Sequence, residues 1–193
     1  TLDGAAPPTS AYDSGRVYLQ TPDGDQVLLG RTRDQTYQRR VLLGDYDVCY
    51  SVDLAGAAAP RNAAACFRTI SIKGDTDDLD IDVPSVLVTL SGADALGDHL
   101  YDRGRLYLRH ALTGDEVFAG TTDQGTLHLR VVPGPYWLVY QLDAASGGAP
   151  LNQHAHLACH TFGYQPAPDP DPDTTTGADS TTGADSTGAD TGP

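Results

Sequence analysis

The heptapeptide DSGRVYL at residues 13–19 returns as DRGRLYL at residues 102–108, and this repetition decides how the rest of the 193-residue chain is interpreted. From Gly24 onward the two copies align without a gap, at an offset of 90 positions, as far as Tyr50 and Tyr140. Identical residues meet at that offset for Gly24, Val27, Gly30, Thr36, Arg40, Val41, Gly44, Tyr46 and Tyr50, and Pro60 and Asn62 meet Pro150 and Asn152. The chain therefore contains a duplicated unit of about 90 residues.

Both units are predicted to be β-structure. Leu106 and Leu108 alternate with Arg105, Tyr107 and Arg109, which is the period of two that a half-buried strand requires. Glycine, proline and aspartate separate this and the other apolar runs, as turns require. Several short strands at such spacing favour a sandwich or a barrel. We therefore expect an all-β fold of two tandem β-sandwiches followed by a disordered low-complexity tail.

The pattern predicts four segments. Repeat 1 covers residues 1–73, an acidic linker covers 74–82, and repeat 2 covers 83–165. The tail, 166–193, is Pro-Asp alternation followed by near-copies of Thr-Thr-Gly-Ala-Asp-Ser, and it holds no residue more apolar than alanine. Such a segment cannot form a core.

Composition excludes several classes of partner. The net charge is −14, and Glu116 and Lys73 are the only glutamate and lysine. This balance disfavours long helices, because Asp prefers turns and caps. A strongly acidic surface also argues against nucleic-acid and anionic-membrane partners, which need clustered basic residues. No apolar run approaches the length of a membrane span. Because the chain begins at Thr1 and shows no signal peptide, we expect a mature or trimmed product.

One motif in repeat 2 resembles a known family. Thr122-Asp123-Gln124-Gly125, then Leu127 and Leu129, then Val132-Pro133-Gly134 and Tyr136-x-Leu138 are similar to the carboxypeptidase regulatory-like domains and the collagen-adhesin B-type repeats, which share a prealbumin-like sandwich. Repeat 1 departs from the motif, with Gln35 in place of Gly125 and Leu43 in place of Pro133. The resemblance implies a prealbumin- or immunoglobulin-like sandwich for each repeat rather than an activity, since such domains are usually non-catalytic modules in surface proteins and enzyme appendages.

The three cysteines predict one disulfide. Tyr46 and Tyr50 match the core-facing Tyr136 and Tyr140, so Cys49 lies on the opposite face of its strand. The ungapped alignment places Cys66 on that same outer face, and we expect Cys49 and Cys66 to be cross-strand neighbours joined by a disulfide. The alternatives are free thiols or a bond to Cys159, which otherwise stays unpaired. No cysteine has the adjacent base that a catalytic thiol needs.

Two groups of residues are candidate metal ligands. His154, His156 and His160 share one face of a predicted strand, where two imidazoles about 7 Å apart could hold a transition metal. Aspartates crowd the linker and could hold calcium, namely Asp75, Asp77, Asp78, Asp80 and Asp82. The alternatives are a solvated outer face and a solvated acidic linker. No other cofactor is expected, and no motif predicts an enzyme.

The functional prediction is a non-catalytic extracellular structural or adhesive module, such as a subunit of a cell-surface array or filament. The alternative is a carbohydrate- or peptide-binding accessory domain of a secreted enzyme, with exposed Tyr18, Tyr107 and Trp137 as its aromatic platform. Hydroxyl-rich tails are typical O-glycan acceptors, and the candidate sites are Thr174, Thr175, Thr176, Ser180, Thr181, Thr182, Ser186, Thr187 and Thr191.

Repeat 1 also lacks most of its first strand. Thr1-Leu2-Asp3-Gly4 matches Thr89-Leu90-Ser91-Gly92, which closes the first strand of repeat 2. An uncovered edge invites pairing with another chain. We therefore expect other copies of the chain, or other surface proteins, to add a strand along the open edge of repeat 1, beside Arg16–Gln20 or elsewhere along that edge. The alternatives are that the strand was trimmed or that a loop covers the gap.

Overall fold

The computed structural model describes residues 1–56, 58–74 and 79–163. Its strands are β1 (Ser14–Gln20), β2 (Gln26–Arg31), β3 (Gly44–Leu54), β4 (Ala65–Ile72), β5 (Val86–Leu90), β6 (Arg103–His110), β7 (Glu116–Thr121), β8 (Leu127–Val131), β9 (Gly134–Ala144) and β10 (Ala155–Phe162). Three short 3₁₀ turns occupy Thr32–Asp34, Ala93–Leu96 and Thr122–Gln124. Those ranges hold no α-helix, so the prediction of an all-β fold is confirmed.

The two repeats build four-stranded sheets to the same plan. The strand order is β2-β1-β3-β4 in repeat 1 and β7-β6-β9-β10 in repeat 2, and every pair is antiparallel. Strands β5 and β8 form a further antiparallel pair. In repeat 1 the residues that match β8 are 37–41, and they form no strand. Among its described residues, repeat 1 therefore has a counterpart of the four-stranded sheet of repeat 2 but no counterpart of the two-stranded sheet of β5 and β8.

The core of repeat 2 lies between its two sheets. Inward side chains of β5 and β8 meet those of the four-stranded sheet in one apolar cluster, whose buried members are Val88, Ala93, Leu106, Leu108, Val117, Ala119, Leu127, Leu129, Val131, Tyr136 and Tyr140. All of them belong to repeat 2. Burying this much apolar surface is the main stabilising term for the unit.

The core of repeat 1 is not self-contained. Its buried members are Leu2, Val17, Leu19, Leu29, Tyr46, Val48, Tyr50, Ala65, Val83 and Val132. Val83 and Val132 come from repeat 2, and they are 1% and 2% exposed. Repeat 1 therefore uses side chains from beyond the linker to cover the face that its missing strands leave open.

A glycine and a tyrosine explain the repeated heptapeptide. The ring of Tyr50 packs over Gly15 so closely that a Cβ there would lie 2.1 Å from it, and Tyr140 covers Gly104 in the same way, at 2.0 Å. Each tyrosine hydroxyl donates to a proline carbonyl, 2.9 Å away at Pro60 and equivalently at Pro150 in repeat 2. Only glycine fits under the ring, which accounts for the glycine in both copies of the motif.

The prediction of an open edge beside Arg16–Gln20 is wrong. Strand β1 is paired along its length with β2 on one side and β3 on the other. The missing strand belongs to the opposite layer, because in repeat 2 its counterpart β5 pairs with β8 and not with β6. Leu2 instead forms a parallel bridge with Val83, in which the N–H of Val83 donates to the carbonyl of Thr1 at 3.0 Å. Val83, the first residue of repeat 2, thus supplies a short substitute within the same chain.

Both repeats keep the 3₁₀ turn of the motif that resembles the known family, but the backbone strain at the residue that ends the turn differs between them. Gly125 ends the turn in repeat 2 with φ of 72°. Gln35 holds the same position in repeat 1 with φ of 64°, a left-handed conformation that is unfavourable for a residue with a Cβ. The departure from the motif at Gln35 therefore leaves the backbone shape unchanged and adds strain.

Candidate functional site

The two repeats meet at a polar junction, a network of hydrogen bonds centred on Asn62. Asn62, fully buried in the loop between β3 and β4, reaches into repeat 2. Its side-chain oxygen accepts from the N–H of Val132 at 2.7 Å, and its amide nitrogen donates to the hydroxyl of Tyr136 at 2.9 Å. A buried amide with this many partners fixes the geometry of both sides.

Backbone groups on either side of Asn62 extend the junction. The N–H of Arg61 donates to the carbonyl of Arg130 at 2.9 Å. The N–H of Ala63 donates to the Asp115 carboxylate at 3.1 Å, and the Asn62 amide reaches the same oxygen at 3.2 Å. On another side of the junction, the Arg130 guanidinium forms an ion pair of 2.9 Å with Asp3. The two repeats are therefore joined by hydrogen bonds as well as by the linker.

A groove lies on the open face of repeat 1. It encloses about 690 Å³ and is lined by core residues such as Val17, Phe67 and Val83 together with polar groups such as Thr36 and Arg68. The Arg68 guanidinium donates to the carbonyl of Asp80 at 3.0 Å, across the mouth of the groove. The cavity is left unfilled because the core of repeat 1 is only partly covered.

The three predicted aromatic residues do not form one platform. The prediction that Tyr18 is exposed is wrong, since it is only 6% exposed. Burial, and then the nearby Asp115 carboxylate of repeat 2, raise the pKa of its hydroxyl. Tyr107 is half-buried against Phe118, with ring centroids 5.4 Å apart. Trp137 is exposed and packs against His156 at 5.3 Å.

The candidate metal ligands are only partly brought together. The rings of His154 and His156 lie 5.5 Å apart, while His160 stacks on Phe162. Within 1–56, 58–74 and 79–163, no three His, Cys, Asp or Glu side chains converge as a metal site requires. Asp80 and Asp82 are exposed, and the carboxylate of Asp82 accepts from the hydroxyl of Thr1 at 2.6 Å. The other candidates, Asp75, Asp77 and Asp78, lie outside the described residues, as do the nine candidate glycosylation sites of the tail.

The predicted disulfide is confirmed. Cys49 on β3 is bonded to Cys66 on β4, directly opposite it in the sheet register, and Cys159 is an exposed free thiol. Repeat 2 has Val139 and His156 at the corresponding pair of positions. The cross-link therefore joins an edge strand to its neighbour in one repeat only.

Removing the disulfide should destabilise the protein measurably. It closes a loop of 17 residues, so replacing both Cys49 and Cys66 with alanine should lower the free energy of unfolding by about 3 kcal/mol and Tm by about 6–12 °C. Differential scanning calorimetry measures the shift. Cys159→Ala is the matched control and should leave Tm within about 2 °C of the parent. An unchanged Tm in the double variant would contradict the expectation.

A carboxylate near the start of each motif organises a loop by accepting backbone N–H groups. Asp102 accepts from four successive residues, namely Ser146, Gly147, Gly148 and Ala149, at 2.6–3.2 Å. Asp13 accepts in the same way from Gly56, Ala58 and Ala59 in repeat 1. The bond from Ala149, then those from the other donors, lower the pKa of Asp102 to about 2. Bonds of this kind favour the ionised form.

Stability should therefore fall in acid through Asp102. An unfolded aspartate has a pKa of about 3.9, so the contribution of the ionised carboxylate is complete above about pH 4 and is lost as pH falls through about 2. The difference in unfolding free energy between the parent and Asp102→Asn should be largest near neutral pH and shrink below pH 4. Urea unfolding between neutral pH and pH 2 measures it. The exposed Asp94→Asn serves as control, and a difference that is independent of pH would refute the assignment.

No protein-family description, curated protein or solved structure matches this chain. Among the described residues no helix is long and apolar enough to cross a membrane. The sequence carried one sign of the junction, the recurrence of Pro60-x-Asn62 as Pro150-x-Asn152. That recurrence shows that the loop occurs in both repeats, but it does not reveal that, of the two asparagines, only Asn62 has partners in the other repeat.

Proposed function

We propose that the protein is a non-catalytic structural or adhesive module of the cell exterior, built from two tandem prealbumin-like sandwiches and acting as a subunit of a surface array or filament. The observation that carries this proposal is the buried polar junction at Asn62, which joins the two repeats through hydrogen bonds to one buried side chain. A rigid tandem transmits position and force between its ends. A flexible linker would not.

The disulfide supports the exterior location. Cross-links between cysteines form and persist in oxidising compartments and are rare where thiols are kept reduced. Cys49 and Cys66 lie opposite each other on neighbouring strands and are bonded to each other. The acidic Thr/Ser-rich tail, with O-glycans on its hydroxyls, fits a stalk that keeps the module away from a surface.

A second candidate function is an accessory module that binds carbohydrate or peptide. The exposed Trp137 beside His156 favours it, because aromatic rings on an open sheet face can stack on sugars. The open groove of repeat 1 is a second concave surface for an extended ligand.

Two measurements on the full chain separate these functions. Protease shaving of intact cells that produce the protein should release its peptides, and the recovered Cys49–Cys66 pair should be oxidised; recovery only from lysed cells, with both thiols reduced, would reject the exterior location. Negative-stain imaging beside a glycan array then discriminates the two roles. Assemblies without glycan signal favour the structural module, and a monomer with specific glycan signal favours the accessory module.

A further inference from the structure

The junction consists of two complementary halves. The first half, which we term the donor loop, is the segment 61–63 between β3 and β4, with the Asn62 side chain at its centre. The second half, termed the acceptor surface, lies on repeat 2 and is made by Asp115, Arg130, Val132 and Tyr136. Because the repeats are copies of one unit, each half has a counterpart in the other repeat.

The counterpart of the donor loop is the segment 151–153 between β9 and β10. The Leu142 N–H donates to the Asn152 carbonyl at 3.1 Å, as the Val52 N–H does to the Asn62 carbonyl. The loop therefore keeps its backbone anchoring. Its Asn152 side chain is exposed and has no hydrogen-bond partner among the described residues, and the neighbouring Leu151 is 75% exposed.

The counterpart of the acceptor surface lies on repeat 1, at the same offset of 90 positions, and consists of Asp25, Arg40, Leu42 and Tyr46. Its local geometry is kept, since the Tyr46 hydroxyl donates to the Leu42 carbonyl at 2.8 Å and the Tyr136 hydroxyl to the Val132 carbonyl at 2.7 Å. Leu42, however, is 84% exposed, where Val132 is 2% exposed.

The two halves without a partner therefore lie on different repeats. Leu42 and Leu43 are exposed at the acceptor surface of repeat 1, and Leu151 is exposed in the donor loop of repeat 2. Docking of the two halves would bury these apolar side chains as well as pair the polar groups beside them. One molecule thus presents a donor loop and an acceptor surface that take part in no hydrogen bond between the repeats among the described residues.

We propose that the loop 151–153 of one molecule docks onto the Asp25–Leu42–Tyr46 surface of a second copy, reproducing between molecules the contact that joins repeats 1 and 2 within one. This inference rests on the proposed function and specifies the surface through which copies assemble. A head-to-tail contact between different surfaces does not close on itself as a two-fold contact does, so it generates an open filament or a ring.

Two physical factors set the strength of this contact. Within one chain the linker gives the two halves a high effective concentration, and separate molecules lack that advantage. The net charge of −14 adds repulsion between copies. Association should therefore be weak in dilute solution at low salt and grow with protein concentration and with ionic strength, which screens the repulsion.

Sedimentation velocity on the full chain tests the proposal through two exposed positions. Leu42→Asp places a charge in the acceptor surface of repeat 1, and Asn152→Ala removes the side chain of the donor loop. Each variant alone should associate at least about tenfold more weakly than the parent, which corresponds to about 1.4 kcal/mol. Leu100→Asp, a charge placed on another exposed leucine, is the matched control and should associate like the parent.

Mixing the two variants gives the decisive result. Asn152→Ala keeps an intact acceptor surface, and Leu42→Asp keeps an intact donor loop, so an equimolar mixture should form a one-to-one complex that cannot grow further. A parent that stays monomeric at high concentration and salt, variants that assemble like the parent, or a mixture without heterodimer would each overturn the proposal. If assemblies persist in both variants, copies associate through another surface and only this inference fails. Cell shaving tests the exterior location independently.

Discussion

Replacing Asn62 with alanine is expected to lower the free energy of unfolding by about 2–4 kcal/mol. The side chain is fully buried and bridges the N–H of Val132 and the hydroxyl of Tyr136. Its removal leaves the N–H of Val132 buried without a partner, and an unsatisfied buried group costs more than the bond itself contributes. Tyr136 keeps its bond to the Val132 carbonyl, which limits the loss.

The repeat supplies the control. Asn152 occupies the equivalent position, is exposed, and should tolerate alanine within about 0.5 kcal/mol. Guanidinium unfolding of the parent and both variants, followed by circular dichroism, measures the two differences at a concentration where all three are monomeric. Equal losses at the two positions would mean that Asn62 acts within its own loop and not as the bond between repeats.

Replacing Val83 with aspartate is expected to unfold repeat 1 while repeat 2 stays folded. Val83 is 1% exposed in the core of repeat 1, where it pairs with Leu2. A carboxylate buried there without a partner should cost more than about 4 kcal/mol. The core of repeat 2 contains neither Val83 nor any residue of repeat 1.

Hydrogen exchange read by mass spectrometry resolves the two repeats. Val83→Asp should abolish the protection of amides in β1 and β3 and preserve it in β6 and β9. Leu87→Asp, on the exposed face of β5, is the control and should preserve protection in both. Equal loss in both repeats would show a single cooperative unit, and unchanged protection would show that Val83 does not support the first core.

The features predicted from the sequence are those that a local pattern or the repeat itself determines. Alternation of apolar residues identifies the strands, because side chains leave a strand on alternate faces. The repeat register then transfers the inward orientation of Tyr136 and Tyr140 to Tyr46 and Tyr50, and this places Cys49 and Cys66 on the outer face. The disulfide was therefore within reach of the sequence.

Contacts between the repeats could not be predicted from the sequence. A period of two shows which face Tyr18 takes, but not that its side chain is buried there with the Asp115 carboxylate of repeat 2 nearby. The missing strand was assigned to the edge of β1, because neighbouring strands in a chain commonly pair, whereas here the first strand of repeat 2 crosses to β8. Asn62 looked like Asn152 for the same reason: the sequence repeats the loop, and only the docking of the two units distinguishes them.

The borrowed side chains of the first core have a consequence for how such a chain can evolve. Repeat 1 depends on Val83 and Val132, whereas the core of repeat 2 draws on its own residues alone. A recombination event that broke the gene between the two units would thus yield one half able to keep its core and one half unable to do so. Duplications that add a new unit after an existing one preserve every inherited core, so lineages of this architecture are expected to gain and lose units in an order set by that one-way dependence.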